Sequence, residues 1–269
     1  MSVTNLARRR GQMLDEIMAH HRENLPKTMA AVPFEDLRAM TAVAPRPRNF
    51  EAAVRAPGVS LVAECGKASP DKGLLIPNYD AVRLARLCEK AGARAVSVLT
   101  DGRHFQGALE HLRDVREAVR VPVLRHDFIF HPYQIYESRL AGADAVLLIA
   151  TVLSDAEMRD LSALVRKLGM TAVIEVHSAE EVARALPLQP SIISINNRDW
   201  QTFEIDLDTT ARLRPLIPSE IAVMSENGIA SAEDMTMMRA AAVDAVLVGE
   251  ALARAKDIAG KVRTLVAGQ

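Results

Sequence analysis

Eight times along this 269-residue chain a short apolar run ends on a polar, charged or glycine residue and gives way to an amphipathic stretch, and no other feature restricts the fold as strongly. The runs span 61–64, 95–100, 122–127, 145–149, 171–177, 192–198, 222–228 and 245–250. Spacings of roughly 20 to 35 residues fit a strand, a helix and two short loops. Runs of Val, Ile, Leu and Ala without polar alternation are apolar on both faces, as a parallel sheet covered by helices requires. Eight such units predict an α/β fold, a (β/α)8 TIM barrel whose C-terminal strand ends share one mouth. Glu64, His126, Glu175, Asn196 and Glu226, far apart in sequence, are therefore expected to face one another.

Residues 1–60 fit no strand–helix unit, and their periodicity is helical: Leu6, Met13 and Ile17, then a second run over 34–40. Pro45 and Pro47 break the pattern, and Asn49 is suited to cap a third short helix. The expectation is a single barrel domain over 1–269, of which 1–60 is an N-terminal helical extension packed on it. Helices are expected over 80–91, 108–119, 132–141, 155–168, 179–186, 208–216, 231–241 and 258–265. Ser154 and Ser231 supply start signals, and Gly92 and Gly142 stand where a helix ends just before a strand.

A hydrophobic fraction of 49% with 25% charged residues supports one large core and excludes disordered and fibrous classes. The formal net charge of -1 offers no basic surface, which disfavours nucleic acid and anionic membranes and favours a small ligand. No stretch approaches the ~20 apolar residues of a membrane span. The first residues lack a signal-peptide core, so a cytoplasmic location is expected. Cys65 and Cys88 are then reduced thiols, read as buried filler and helix core.

Three glutamates at strand ends, Glu64, Glu175 and Glu226, suit the base or electrostatic stabiliser of a proton-transfer step. Asn196 and Arg198, two apart, share a side of an extended chain and can hydrogen-bond a polar substrate; a turn tied by Asn and Asp side chains is the alternative. Gly228 and Gly249 follow the seventh and eighth runs, where barrels bind phosphate through backbone N–H groups and a short helix. Metal chemistry has less support: no His-x-His lies on the first strand, and His126 and His131 are not at a familiar ligand spacing. No lysine ends an apolar run, which argues against a Schiff base. His177 is read as a loop cap and His20-His21 as a solvated helix face.

The strings Leu61-Val-Ala-Glu-Cys-Gly-Lys-Ala-Ser-Pro-Asp-Lys-Gly73, Leu124-Arg-His-Asp-Phe-Ile129, Ile174-Glu-Val-His177, Ile195-Asn-Asn-Arg-Asp199, Ser225-Glu-Asn-Gly-Ile229 and Leu247-Val-Gly-Glu250 resemble indole-3-glycerol phosphate synthase, over nearly the whole chain. The resemblance implies a (β/α)8 barrel with extra N-terminal helices, no cofactor and no metal. It also implies one reaction, closure of the pyrrole ring of 1-(2-carboxyphenylamino)-1-deoxyribulose 5-phosphate with loss of carbon dioxide and water, in tryptophan biosynthesis. Matched by motif, Glu64 is an active-site glutamate, Glu175 the general base, and Asn196 with Arg198 the substrate-positioning pair. Ser69, Gly228, Gly249 and the Glu250 amide bind phosphate. Phe105, Phe128, Leu147 and Ile149 line the aromatic-ring pocket, Pro70 closes it, and Glu226 contacts substrate.

The chain departs from the family pattern within the mouth. Gly66 and His126 stand where that pattern has lysines, Asn227 where it has serine, and Trp200 where it has leucine. Three readings follow: a synthase with His126 as acid, a paralogue acting on a different phosphorylated substrate, or a catalytically silent barrel. Each binds a small phosphorylated molecule or keeps the site for one, as a monomer or homodimer.

Overall fold

The computed structural model describes residues 13–200 and 202–267, so Leu6 lies outside the described residues. Eight strands, β1 (Ser60–Cys65), β2 (Ala95–Leu99), β3 (Val123–His126), β4 (Ala145–Ile149), β5 (Thr171–Val176), β6 (Ile192–Asn196), β7 (Ala222–Glu226) and β8 (Ala245–Val248), form a closed barrel in sequence order, with β8 pairing back onto β1. All eight pairings are parallel. This is the (β/α)8 barrel that the repeated apolar runs predict. Two runs stop earlier than expected: the chain leaves β6 after Asn196, and Glu250 opens a helix instead of closing β8.

Three helices precede the barrel: α1 (Met13–Ala31), α2 (Phe34–Met40) and α3 (Phe50–Val54). Those that follow are α4 (Ala81–Ala91), α5 (Leu109–Ala118), α6 (Pro132–Leu140), α7 (Asp155–Lys167), α8 (Ala179–Ala185), α9 (Asp208–Leu213), α10 (Ala232–Ala240), α11 (Glu250–Ala253) and α12 (Ile258–Val266). Local chemistry sets their ends. Ser154 and Ser231 form capping boxes with Glu157 and Asp234, and Gly92 takes φ 115° after α4, a value that glycine reaches without strain. The helix expected over 208–216 tightens to a 3-10 turn at Arg214–Leu216, because Pro215 has no N–H to continue the α pattern.

Alternation along each strand builds the site. Val62, Ala95, Leu124, Val173, Ile192, Met224 and Leu247 pack with one another inside the barrel, whereas their strand neighbours pack outward against the helices. Two residues further on, the same inward face carries Glu64, Ser97, His126, Glu175, Ser194, Glu226 and Gly249 at or near the C-terminal strand ends. Apolar side chains thus fill the interior, and polar groups collect at the mouth.

The extension closes both ends. Asn49 caps α3 by accepting from the Ala52 N–H at 2.9 Å, and Phe50 beside it is fully buried among the alanines that open β2, β4, β7 and β8. Small residues there leave room for one ring. Asp144, fully buried, accepts from the N–H of Arg48 at 2.6 Å and of Val123 at 2.8 Å, tying the segment before α3 to the sheet. At the other end Ile17 and Met18 of α1 pack with Phe128 near the mouth. His20-His21 is not the solvated face expected. His21 turns inward, 2.8 Å from Asp101 and 3.7 Å from Asp127, because two carboxylates beyond β2 and β3 attract it more than water does.

Candidate active site

The floor of the mouth is an imidazole among carboxylates. His126 Nδ1 stands 3.0 Å from Glu64 Oε2, with Ser97 Oγ at 3.5 Å. Burial opposes charge on this ring, but the hydrogen bond and charge of Glu64, with Glu226 and Glu175 beyond, outweigh it and lift the pKa to about 9. His126 is therefore an imidazolium at neutral pH.

Glu175 and Glu226 are both fully buried. Burial pushes the Glu175 carboxyl up, yet His177, His126 and the Asn196 amide together hold it below the ordinary carboxylate range. Asn196 Nδ2 donates to Glu175 Oε1 at 2.9 Å. For Glu226, burial and the negative charge of Glu175 both raise the pKa, and Ser194 Oγ donates to its Oε2 at 2.8 Å. The two carboxyls are pushed apart in acidity, Glu175 charged and Glu226 protonated, the division seen where acid and base roles are separated. Among the described residues His126, Glu175 and Glu226 each offer an atom within 4.8 Å of the others, a grouping a metal ion could use. A proton competes for it, since an imidazole with raised affinity must be deprotonated before it can ligate.

Above the floor opens a cavity of about 700 Å³. Glu64, His126 and Asn196 line its base, Leu99, Phe105, Trp200 and Phe203 form an apolar wall, and Ser69, Pro70 and Asp71 overhang it. A second recess of about 710 Å³ adjoins it, bounded by Lys72, Arg198, Asn227, Gly228, Gly249, Glu250 and Arg254. Here two glycines meet conformational demands. Gly228 has φ 88°, and a Cβ on Gly249 would run into the Glu64 carboxylate. Asn227, at φ 67°, tolerates the left-handed region and donates to Asn196 Oδ1 at 2.8 Å. One chain of hydrogen bonds thus runs from the recess through Asn196 to Glu175.

The cations are engaged by carboxylates from the protein. Arg198 Nη1 lies 3.0 Å from Asp71 Oδ2, and Lys72 Nζ 2.6 Å from Glu250 Oε1. Ser69 Oγ donates to Asp71 at 3.0 Å and so braces the loop between β1 and α4. Asn197 makes the turn ties: its Nδ2 donates to Ser225 Oγ and to the carbonyls of Glu226 and Asn227.

Of the residues singled out in the sequence, Glu64, His126, Asn196, Arg198, Phe105, Trp200, Ser69, Pro70, Asn227, Gly249 and Glu250 line the main cavity, and Gly228 lines the recess. Glu175 and Glu226 lie under the floor. Phe128, Leu147 and Ile149 are buried in the barrel interior, Phe128 backing the wall with its ring 5.8 Å from that of Trp200. Gly66 lines the cavity where a Cβ would stand 2.6 Å from Leu99 Cδ1, the end of a flexible side chain. Two partnerships were not anticipated. The Asp71–Arg198 pair spans 127 positions and has no local signal, whereas His177 and Glu181 are four apart, a spacing that does bring side chains together.

The sequence profile of the indole-3-glycerol phosphate synthase family matches residues 14–265. The chain belongs to the indole-3-glycerol phosphate synthase family. A curated protein of that name from Roseiflexus castenholzii is 47% identical over 262 residues, covering 94% of this chain and 97% of its own. Another, from Dehalococcoides mccartyi, is 44% identical over 259 residues, covering 94% of this chain and 100% of its own. Synthase relatives thus match the chain almost end to end, extension and mouth included. Solved structures share the barrel at much lower identity. A thiamine phosphate pyrophosphorylase from Pyrococcus furiosus aligns with TM-score 0.60 at 15% identity over 81% of this chain and 96% of its own. An N-acetylmannosamine-6-phosphate 2-epimerase from Clostridium perfringens aligns with TM-score 0.59 at 15% identity over 76% and 90%. Those two likenesses show the fold alone.

Proposed function

We propose that this protein is an indole-3-glycerol phosphate synthase in which His126 is the general acid and Glu175 the general base. The observation that carries the reading is the imidazolium of His126, 3.0 Å from Glu64, in the floor between an apolar wall and a glycine-bounded recess. The aryl ring of 1-(2-carboxyphenylamino)-1-deoxyribulose 5-phosphate lies against Phe105 and Trp200, and its phosphate meets the backbone at Gly228, Gly249 and Glu250 beside Ser69. Lys72 and Arg198 exchange Glu250 and Asp71 for substrate anions. Their charge replaces that of a lysine at position 66.

The carboxyl-bearing ring carbon attacks the ketose carbonyl, and the carbonyl oxygen takes the proton of His126 as the new carbon–carbon bond forms. Loss of carbon dioxide restores the aromatic ring. The new hydroxyl then leaves as water with a further proton from the acid, while the C1 proton passes to Glu175, completing the indole. Asn196 keeps the base in register, and Glu226 and Asn227 support the floor and the phosphate loop. The enzyme works without a cofactor, in the cytoplasm, as a monomer or homodimer, the extension and barrel forming one domain.

Incubating purified protein with this substrate and following indole-3-glycerol phosphate by its fluorescence tests the reading, with His126→Gln expected to cost ~10²–10⁴ in kcat/KM. A paralogue acting on another phosphorylated aryl amine is favoured by one observation, Trp200 packed edge-on between Phe128 and Phe203, which narrows the aryl end. Tighter binding of a different aryl aminoketose phosphate in the same assay selects that reading.

A further inference from the structure

Glu175 is fully buried, yet a base in that position must be charged and must present one free oxygen. Its Oε1 accepts from Asn196, whereas Oε2 has no hydrogen-bond partner. His177 Nε2 lies 3.1 Å from the engaged Oε1, without the alignment of a hydrogen bond, so the contact is one of charge. From the outer side Glu181 holds the same ring: its Oε2 is 3.3 Å from Nδ1 and accepts the His177 backbone N–H at 2.6 Å. Thr151 Oγ1 is 3.1 Å from Nδ1 and 2.7 Å from Glu181 Oε1.

The groups facing Glu175 are few. They are His177 from the end of its own strand, His126 from β3, Asn196 from β6 and Glu226 from β7, with Glu64 acting through His126. His126 is already paired with Glu64, and Glu226 adds repulsion. His177 is the cation that answers Glu175 directly, and its side chain, 15% exposed, links a fully buried carboxylate to the 13% exposed Glu181.

We infer that His177, gripped by Glu181 and Thr151, is a positioning residue that keeps Glu175 ionised and leaves Oε2 as the oxygen that receives the proton. The inference rests on Glu175 as the base of the proposed reaction. Burial works against protonation of His177, but Glu175 and Glu181 override it and raise its pKa to about 10, so the imidazolium persists through the neutral range.

The test is the pH dependence of kcat/KM for His177→Gln, a neutral side chain of similar reach. Removing the cation raises the pKa of Glu175, so the acid limb moves up by about one pH unit or more, with a ~10-fold loss near pH 6 and little near pH 8. Glu181→Gln shifts the limb the same way by less. An infrared titration without substrate gives the second readout: the buried carboxyl band that Glu175→Gln removes titrates at higher pH in His177→Gln than in the parent. A uniform fall in activity at every pH, with that band unmoved, overturns the inference. An inactive parent whose carboxyl band still responds to His177→Gln overturns the proposed reaction and leaves the positioning role standing.

Discussion

Turnover by His126 requires its proton, so kcat/KM is expected to fall as pH rises through about 9, where the folded-state imidazolium dissociates. Glu64→Gln removes the hydrogen bond and the charge that hold this proton. The basic limb then moves down toward the ordinary histidine value of ~6.5, which pH–rate profiles of parent and variant resolve directly. Gly249→Ala probes the adjoining recess. Its Cβ would collide with the Glu64 carboxylate, so the variant should raise KM, disturb the His126 limb and lose about 1–3 kcal/mol of stability in denaturant titrations. The candidate residues were legible because each follows an apolar run by a fixed alternation. Their depth was not. Glu175 and Glu226 lie beneath the floor because side chains of His126 and Asn196 from neighbouring strands cover them, and the cover depends on barrel curvature and not on either strand alone.

At the scale of elements, α1 is secured to the rim by His21, which bridges Asp101 and Asp127. Asp101 also accepts the N–H groups of His104 at 2.6 Å and Phe105 at 2.9 Å, so the helix contact and the loop that presents Phe105 share one carboxylate. Burial lowers the His21 pKa, but the Asp101 hydrogen bond and the two carboxylate charges overcome it and leave the pKa raised. A raised histidine stabilises the fold fully below its unfolded pKa and loses that contribution as pH climbs through the folded one. His21→Ala should therefore cost about 1–3 kcal/mol at pH ~6 and less at pH ~9, measured as the difference in chemical stability between parent and variant at each pH. The helical periodicity around Met13 and Ile17 announced α1, and Asn49 announced α3. The inward turn of His21 was hidden because its partners lie 80 or more residues away. The short α11 was hidden for a different reason, an apolar run continuing past Gly249 into Glu250 that reads as more strand.

Across the whole molecule, the barrel separates stability from chemistry along each strand. Leu124 lies fully buried in the interior two residues before His126 and on the same face. Leu124→Ala should cost about 2–5 kcal/mol of stability while leaving the pH limbs of the remaining activity in place. Such a separation is why the architecture could be read from eight apolar runs, whereas the pairing of Lys72 with Glu250 and Arg198 with Asp71 could not: loops bring those charges together only after the barrel has closed. The central claim is that this mouth, with an imidazolium where the family pattern has a lysine, performs the ring closure. Purified protein given 1-(2-carboxyphenylamino)-1-deoxyribulose 5-phosphate between about pH 5.5 and 8 should form indole-3-glycerol phosphate and release carbon dioxide in equal amounts, with His126→Gln lowering the rate. Absence of turnover across that range, or an unchanged rate in His126→Gln, contradicts it.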